Sequence, residues 1–135
     1  MRIIAGPCQH ETLEQSLEIA TECKRVCDKY DIDYYFKASF DKANRTSLSG
    51  ERGLGLIPTL QSFGDMKGHI ANLKILTDVH TVEQVRQLSN SPVVDVLQIP
   101  AFLCRQTDLI KEACRTDKIV NIKKGQFLAP WDVKG

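Results

Sequence analysis

The chain has 135 residues, of which 42% are hydrophobic and 26% charged, so we expect one globular domain of ordinary composition. Its 18 basic and 17 acidic side chains give a net charge of +1, which argues against a nucleic-acid-binding protein. No apolar run approaches a membrane-spanning helix, and the first residues lack the apolar stretch of a signal peptide. Five cysteines without paired spacing do not form a disulfide framework, so we expect a cytoplasmic protein without a membrane partner.

Short apolar, β-branched runs alternate with helical patterns along the chain. These runs predict five strands, at Ile3–Ala5, Tyr34–Lys37, Lys74–Thr77, Val93–Leu97 and Ile119–Ile122. Nearly continuous apolar strands are typical of a parallel sheet that is covered on both faces. The predicted fold class is therefore α/β.

The segments between these strands carry apolar side chains at three- and four-residue steps, which predicts helices. Thr12–Lys29 has one such stripe, and its first residue forms a capping-box pattern with Gln15. Thr81 and Gln84 form a second capping-box pattern. A further helix is predicted over Leu54–Ile70, although that segment includes one proline and two glycines.

Two architectures suit five βα units in this order, and composition does not choose between them. A flavodoxin-like open sheet uses five strands and fits this length. A (β/α)₈ barrel needs about 250 residues, so the chain would supply only its first part. The final segment, Lys118–Gly135, has a strand and a loop but no following helix, which suggests that the sequence stops within a unit.

In either architecture, functional side chains follow the carboxyl ends of the strands. The polar and charged residues at these positions are Cys8, His10, Glu11, Lys37, Ser39, Asp41, Lys42, Asn44, Arg45, Thr46, Asp78, His80, Gln98, Lys123, Lys124 and Gln126. Cations of a nearly neutral protein thus collect at one edge. Of the neighbouring Lys123 and Lys124, alternation along the strand predicts that one points inward and the other outward. Lysine and arginine side chains there would bind a small anionic substrate.

Several of these residues also have simpler explanations. Packing explains the cysteines on predicted apolar helix stripes, which are Cys23, Cys27 and Cys114. Cys8 ends a strand, where a thiolate could be a metal ligand or a nucleophile. Asp78 and His80 could form an acid–base pair. Equally, Asp78 could cap the next helix and His80 could donate to a backbone carbonyl.

Five segments, in register along the whole chain, share the pattern of one enzyme family. They are IAGPC at 4–8 with Glu11, FKASFDKANR at 36–45, LTDVH at 76–80, QIPAFLCRQTD at 98–108 and NIKKGQFLAPWD at 121–132. Together they resemble the 3-deoxy-D-manno-octulosonate 8-phosphate synthases, also called 2-dehydro-3-deoxyphosphooctonate aldolases. The resemblance implies a TIM barrel, (β/α)₈, of which residues 1–135 would form a single partial domain with the first five βα units.

The resemblance also implies a reaction. Members of this family condense phosphoenolpyruvate with D-arabinose 5-phosphate and release phosphate, and the sugar acid they form feeds lipopolysaccharide biosynthesis. The residues implied for phosphoenolpyruvate are Lys37, Lys42 and Lys123, with Ser39 and Gln98 lining its pocket. Those implied for the arabinose phosphate are Asn44, Arg45 and Thr46, with Asp78 at its hydroxyls and Ala101 in the same site.

By the same resemblance, Lys42, Lys123 and Asp78 would be the catalytic residues, and Arg105 would lie near a subunit boundary of a homotetramer. Cys8 stands where metal-dependent members have cysteine and metal-independent members have asparagine. A divalent metal ion is therefore implied at this thiol. Its remaining ligands, a histidine, a glutamate and an aspartate, would come from later strands that this sequence does not contain.

The sequence departs from the family pattern in the loop before Arg52, at Thr46, and at His10, where an apolar residue is usual. We expect the chain alone to be oligomeric or only partly folded, with negligible turnover. Two other functions stay open at this point. One is an inactive homologue that binds phosphorylated ligands or full-length subunits, and the other is a related synthase that uses erythrose 4-phosphate.

Overall fold

The computed structural model describes residues 1–134 and has an α/β fold, which confirms the predicted class. Its strands are Arg2–Gln9 (β1), Asp33–Ser39 (β2), Lys74–Asp78 (β3), Val96–Ile99 (β4) and Ile119–Ile122 (β5). Its helices are Leu13–Lys29 (α1), Leu56–His69 (α2), Val82–Ser89 (α3) and Thr107–Cys114 (α4). Short 3-10 turns at Ala101–Leu103 and Pro130–Lys134 follow β4 and β5.

The five strands lie in the order β1-β2-β3-β4-β5, and every neighbouring pair is parallel. Strands that are consecutive in sequence are therefore also neighbours in the sheet. A flavodoxin-like sheet has the order 2-1-3-4-5 instead. The observed order thus excludes the flavodoxin-like alternative for the described residues.

All five predicted strands exist, but only Ile119–Ile122 has the predicted bounds, and the two largest differences are in β1 and β4. β1 continues to Gln9, and β4 begins at Val96 rather than Val93. Both predicted N-caps are confirmed, because Thr12 and Thr81 each accept a hydrogen bond from the backbone N–H three residues on.

The sheet has two unlike faces because alternate side chains of a strand point in opposite directions. On one face Phe36, Ile75 and Leu97 pack with helix residues in the main hydrophobic core. The other face carries a smaller buried cluster of Tyr35, Leu76 and Val96. Side chains two positions apart in a strand lie on the same face of the sheet. This second face therefore also carries Lys37, Asp78 and Gln98, which follow the three cluster residues by two positions.

A β-bulge in β1 sets the direction of its last residues. The register of β1 against β2 shifts between Ala5 and Cys8, and Cys8 has a φ of 72°, in the left-handed region. Gly6, inside the bulge, packs directly on the backbone of Lys37. A Cβ atom there would overlap the Lys37 carbonyl oxygen and lie 2.9 Å from the carbonyl carbon. Only glycine therefore fits this close approach of two strands.

All five cysteines are free thiols. Cys27 is buried and Cys23 half-buried, as the prediction of packing requires. For Cys114 that prediction is wrong, because this residue is exposed at the end of α4, one position beyond the buried Ala113. Within residues 1–134, no helix combines the length and the apolar character needed to cross a membrane.

Candidate active site

A cleft of about 220 Å³ opens at the carboxyl edge of the sheet. Its lining includes eight of the predicted site residues, namely Cys8, Lys37, Lys42, Asn44, Asp78, Gln98, Ala101 and Lys123. They come from all five strands or the segments that follow them, because the carboxyl ends of parallel strands meet at one edge. The structure thus brings most of the predicted site together.

Ser39 is fully buried beneath the cleft, and its hydroxyl group links the charged side chains of the cleft by hydrogen bonds. Its Oγ donates to Asp78 Oδ2 at 2.7 Å and accepts from Lys42 Nζ at 2.6 Å. Lys37 Nζ lies 3.4 Å from the same hydroxyl and 3.6 Å from Asp78 Oδ1. One buried serine and one carboxylate therefore hold two ammonium groups at the cleft.

Lys42 also contacts Cys8. Its Nζ donates to the Cys8 carbonyl oxygen at 2.8 Å and to Sγ at 3.2 Å. Burial raises the pKa of the Cys8 thiol, but the hydrogen bond from Lys42 and the positive charges of Lys37 and Lys42 outweigh it. The net pKa of Cys8 is lower than that of an ordinary cysteine, which favours the thiolate, the form that binds metals.

Amide side chains extend the network across β4 and β5. Gln98 Nε2 donates to Asp78 Oδ1 at 3.0 Å, and Asn121 Nδ2 donates to Gln98 Oε1 at 3.0 Å. Sequence reasoning missed Asn121. The available signal was its place two residues before Lys123, on the same face of the strand, and the register places it opposite Gln98.

Two predicted phosphate-binding residues lie beside the cleft rather than in its lining. Arg45 donates from Nε to the Glu51 carbonyl oxygen at 2.8 Å and from Nη2 to Gln9 Oε1. Thr46 is exposed on the same loop. Asn44, one residue earlier, does line the cleft.

The loop that carries these residues, 40–55, is closed at its base. The Gly55 N–H donates to the Phe40 carbonyl oxygen at 3.0 Å, and the Lys42 N–H donates to the Arg52 carbonyl oxygen at 2.7 Å. Arg52 also forms two hydrogen bonds of 2.6 Å with the carboxylate of Asp41. These two bonds lower the pKa of Asp41 below its usual range. The base of the loop is thus fixed close to Lys42.

The neighbouring lysines Lys123 and Lys124 point to different places. Lys123 lines the cleft, whereas Lys124 Nζ donates to the carbonyl oxygens of Gly125 and Leu128 at 2.8 and 2.9 Å. This confirms the prediction from alternation that one of the two points inward.

Lys124 and Arg105 line a separate cavity of about 440 Å³ beside β5. That cavity is larger but lacks the buried carboxylate and the convergent lysines.

His80 forms part of the cleft wall but makes no acid–base pair with Asp78, whose oxygens are bonded to other side chains. Its ring stacks on Phe102 and meets Phe40 edge-on, and within the described residues its buried Nδ1 has no hydrogen-bond partner. Burial lowers the pKa of His80. The alternative that Asp78 caps the next helix is wrong, because Thr81 does so.

His10 was placed at the functional edge by its position in the sequence, and this is wrong. The residue is fully buried, its Nδ1 is 2.8 Å from Ser16 Oγ, and its ring packs edge-on against Phe63. Burial lowers the pKa of His10. It takes the place of an apolar core residue between the sheet and its helices.

A metal ion at Cys8 would have one soft ligand from this chain. Among residues 1–134, no group of three or more histidine, cysteine, aspartate or glutamate side chains is placed to bind a metal. Protein metal sites of the thiolate type use three or four protein ligands. The described residues therefore do not fit a complete metal site by themselves.

Fold and site define an α/β protein whose parallel sheet gathers lysines, a carboxylate and amides in one cleft at its carboxyl edge. The family model described as the DAHP synthetase I family matches residues 1–135, and the chain belongs to that family. This agrees with the resemblance drawn from the five sequence segments.

Two curated relatives carry the name 2-dehydro-3-deoxyphosphooctonate aldolase. The protein of Brucella anthropi is 56% identical over 132 residues, which are 98% of this chain and 47% of that protein. The protein of Brucella ovis is 55% identical over 134 residues, 99% of this chain and 47% of that protein. The chain therefore spans about half the length of the curated relatives it matches.

Proposed function

We propose that this chain carries the substrate-binding edge of a 2-dehydro-3-deoxyphosphooctonate aldolase, a transferase that joins phosphoenolpyruvate to D-arabinose 5-phosphate. The observation that carries the proposal is the convergence of Lys37, Lys42 and Lys123 with Asp78 on one cleft. The names of the curated relatives support this reaction rather than a purely structural role.

The charges of the cleft suit phosphoenolpyruvate, which carries a carboxylate and a phosphate. Lysine ammonium groups bind such anions as point charges, and three of them surround this cleft. Its volume of about 220 Å³ is below the roughly 300–1,000 Å³ of pockets for drug-sized ligands, so it suits a small molecule.

In the proposed reaction, C3 of phosphoenolpyruvate attacks the aldehyde carbon of the pentose while water adds to C2. The aldehyde oxygen takes up a proton and becomes a hydroxyl group, the added water gives up a proton, and phosphate leaves by cleavage of the C2–O bond. Lys42 and Lys123 hold the enol phosphate, with Ser39 and Gln98 beside it. Holding both reactants in attack geometry supplies much of the acceleration expected of such an enzyme.

The pentose phosphate lies, in this proposal, towards the loop 40–55. Asn44 lines the cleft, and Arg45 is held one residue away by Gln9 and Glu51. The guanidinium of Arg45 is suited to a phosphate group because its donors form a fork. Ala101 offers a small side chain in the cleft wall. Thr46 and Asp78 would bind the phosphate and the hydroxyls, respectively.

The finer structural assignments belong to the same proposal. The sequential strand order supports a partial TIM barrel, since a barrel is built from strands in sequence order. The lowered thiol pKa supports Cys8 as one ligand of a divalent metal ion, which would orient a substrate oxygen or activate water. A homotetramer with Arg105 at a subunit boundary and a cytoplasmic location complete the proposal.

The test compares two adjacent lysines. We expect Lys123→Ala to weaken phosphoenolpyruvate binding, measured by calorimetry, by about tenfold or more, since a lost charged contact of about 1.4 kcal/mol has that effect. Lys124→Ala is the matched control and should stay within about twofold of the wild type because its ammonium group bonds backbone carbonyls. Equal affinities of the two variants would contradict the proposed site.

The second substrate is tested by comparing two aldehydes. D-arabinose 5-phosphate should bind in the presence of phosphoenolpyruvate, and erythrose 4-phosphate should bind more weakly. The reverse order would favour the erythrose-using alternative. Binding of both substrates without any phosphate release would fit the inactive homologue.

A further inference from the structure

We propose that Asn121 is a positioning residue that sets the orientation of the Gln98 amide towards Asp78. The inference rests on the proposed function and deepens it, since Gln98 and Asp78 both line the cleft. Asn121 is half-buried on β5 and is not part of the cleft lining. Its effect on a substrate would therefore pass through Gln98.

The chemistry of the three side chains allows only one arrangement of hydrogen bonds. A carboxylate accepts and cannot donate, so Asp78 requires the NH₂ group of Gln98 on its side. This places Gln98 Oε1 on the opposite side, where it needs a donor. Asn121 Nδ2 supplies that donor at 3.0 Å.

The two ends of a glutamine amide have nearly the same shape, so packing alone does not decide which one faces Asp78. With an acceptor in place of the Asn121 donor, the Gln98 amide would be drawn to turn its NH₂ group to that acceptor and its oxygen to the carboxylate. Asp78 would then lose the 3.0 Å hydrogen bond and meet a second acceptor instead. The hydrogen bond from Asn121 therefore adds to the preference of Asp78 and holds the Gln98 amide in this orientation.

The network continues from Asp78 to the lysines. Asp78 accepts from Ser39 at 2.7 Å, and Ser39 accepts from Lys42 at 2.6 Å. Side chains of β5, β4, β3 and β2 thus form one connected chain of hydrogen bonds that ends at Lys42. We therefore expect a substitution of Asn121 to change the positions of Gln98 and Asp78, although Asn121 does not line the cleft.

Two substitutions separate orientation from packing. Asn121→Asp keeps the shape of the side chain but replaces its donor by an acceptor. Asn121→Ala removes the donor and leaves room for water to donate in its place. If the role is orientation, the aspartate variant is the more severe one, and if the role is packing, the alanine variant is more severe. Asn90→Asp, at an exposed position after α3, is the matched control for the added charge.

The affinity for phosphoenolpyruvate is measured by calorimetry for these chains at low salt and at about 0.5 M salt, where long-range charge effects are largely screened. We expect Asn121→Asp to bind at least about tenfold more weakly at both salt concentrations, Asn121→Ala about threefold, and Asn90→Asp like the wild type. Nuclear Overhauser contacts between the Gln98 side-chain amide protons and the Asp78 side chain should weaken in Asn121→Asp alone.

An aspartate variant that binds like the wild type, or an alanine variant weaker than the aspartate variant, would overturn the inference. So would unchanged Gln98 amide contacts in Asn121→Asp. If the wild-type chain does not bind phosphoenolpyruvate, the proposed function fails, and the Gln98 amide contacts alone decide the orientation. If the aspartate variant does not fold, the alanine variant decides: full wild-type affinity there would refute a role for Asn121.

Discussion

The close contact between β1 and β2 at Gly6 gives a prediction whose size follows from the structure. In Gly6→Ala, the new Cβ would overlap the Lys37 carbonyl oxygen and lie 2.9 and 3.0 Å from the carbonyl carbon and nitrogen. These are backbone atoms, so no flexible side chain can move aside. Such overpacking costs about 1–3 kcal/mol, and each strand hydrogen bond lost adds about 1 kcal/mol. We expect a total loss of about 3 kcal/mol.

Gly68→Ala is the matched control, since a Cβ there meets no atom within 4 Å and lies inside α2. Alanine is a better helix former than glycine, so this variant should gain about 0.5–1 kcal/mol. Urea denaturation measures both free energies of unfolding. Gly6→Ala should also bind phosphoenolpyruvate more weakly because Lys37 is displaced. Equal stability of Gly6→Ala and the wild type would refute this description of the bulge.

Three further predictions concern titration. Burial lowers the pKa of His10, so its contribution to the stability of the fold should be complete above about pH 6.5 and be lost as the pH falls below it. His10→Leu should reduce that loss, measured by urea denaturation at several pH values. Lys42→Met should raise the pKa of Cys8 and slow its alkylation near neutral pH, followed by mass spectrometry of the peptide. Arg52→Met should raise the pKa of Asp41 towards its usual range, measured by carboxyl NMR.

The alkylation experiment has a matched control. Lys24→Met, which removes an ion pair with Asp28 on α1, should leave the alkylation of Cys8 unchanged. A Cys8 alkylation rate that is the same with and without Lys42 would show that this lysine does not lower the thiol pKa. A pH dependence of stability that is as steep in His10→Leu as in the wild type would place its origin elsewhere.

The sequence predicted those features that depend on local periodicity. The apolar runs located five strands, and alternation separated Lys123 from Lys124. The bulge at Cys8 was not predictable, because it depends on how Gly6 meets the neighbouring strand. The contact between the Cys8 thiol and Lys42, which results from the bulge, could therefore not be predicted from the local sequence either.

Tertiary contacts explain the remaining differences between the predicted and the observed site residues. His10 follows a strand, as the site residues do, yet it lies in the core, where it is hydrogen-bonded to Ser16 and packs against Phe63. The spacing of Asn121 from Lys123 indicated its face of the strand, but the sequence did not indicate that Gln98 is its partner. The register between β4 and β5, which places it beside Gln98, is a property of the assembled sheet.

Backbone amide shifts recorded during a phosphoenolpyruvate titration test the central claim most directly. We expect saturable shifts centred on Cys8, Lys42, Asp78, Gln98 and Lys123, which come from five different parts of the chain. Shifts centred on the larger cavity beside β5, or no saturable shift at millimolar ligand, would contradict the assignment of this cleft as the substrate site.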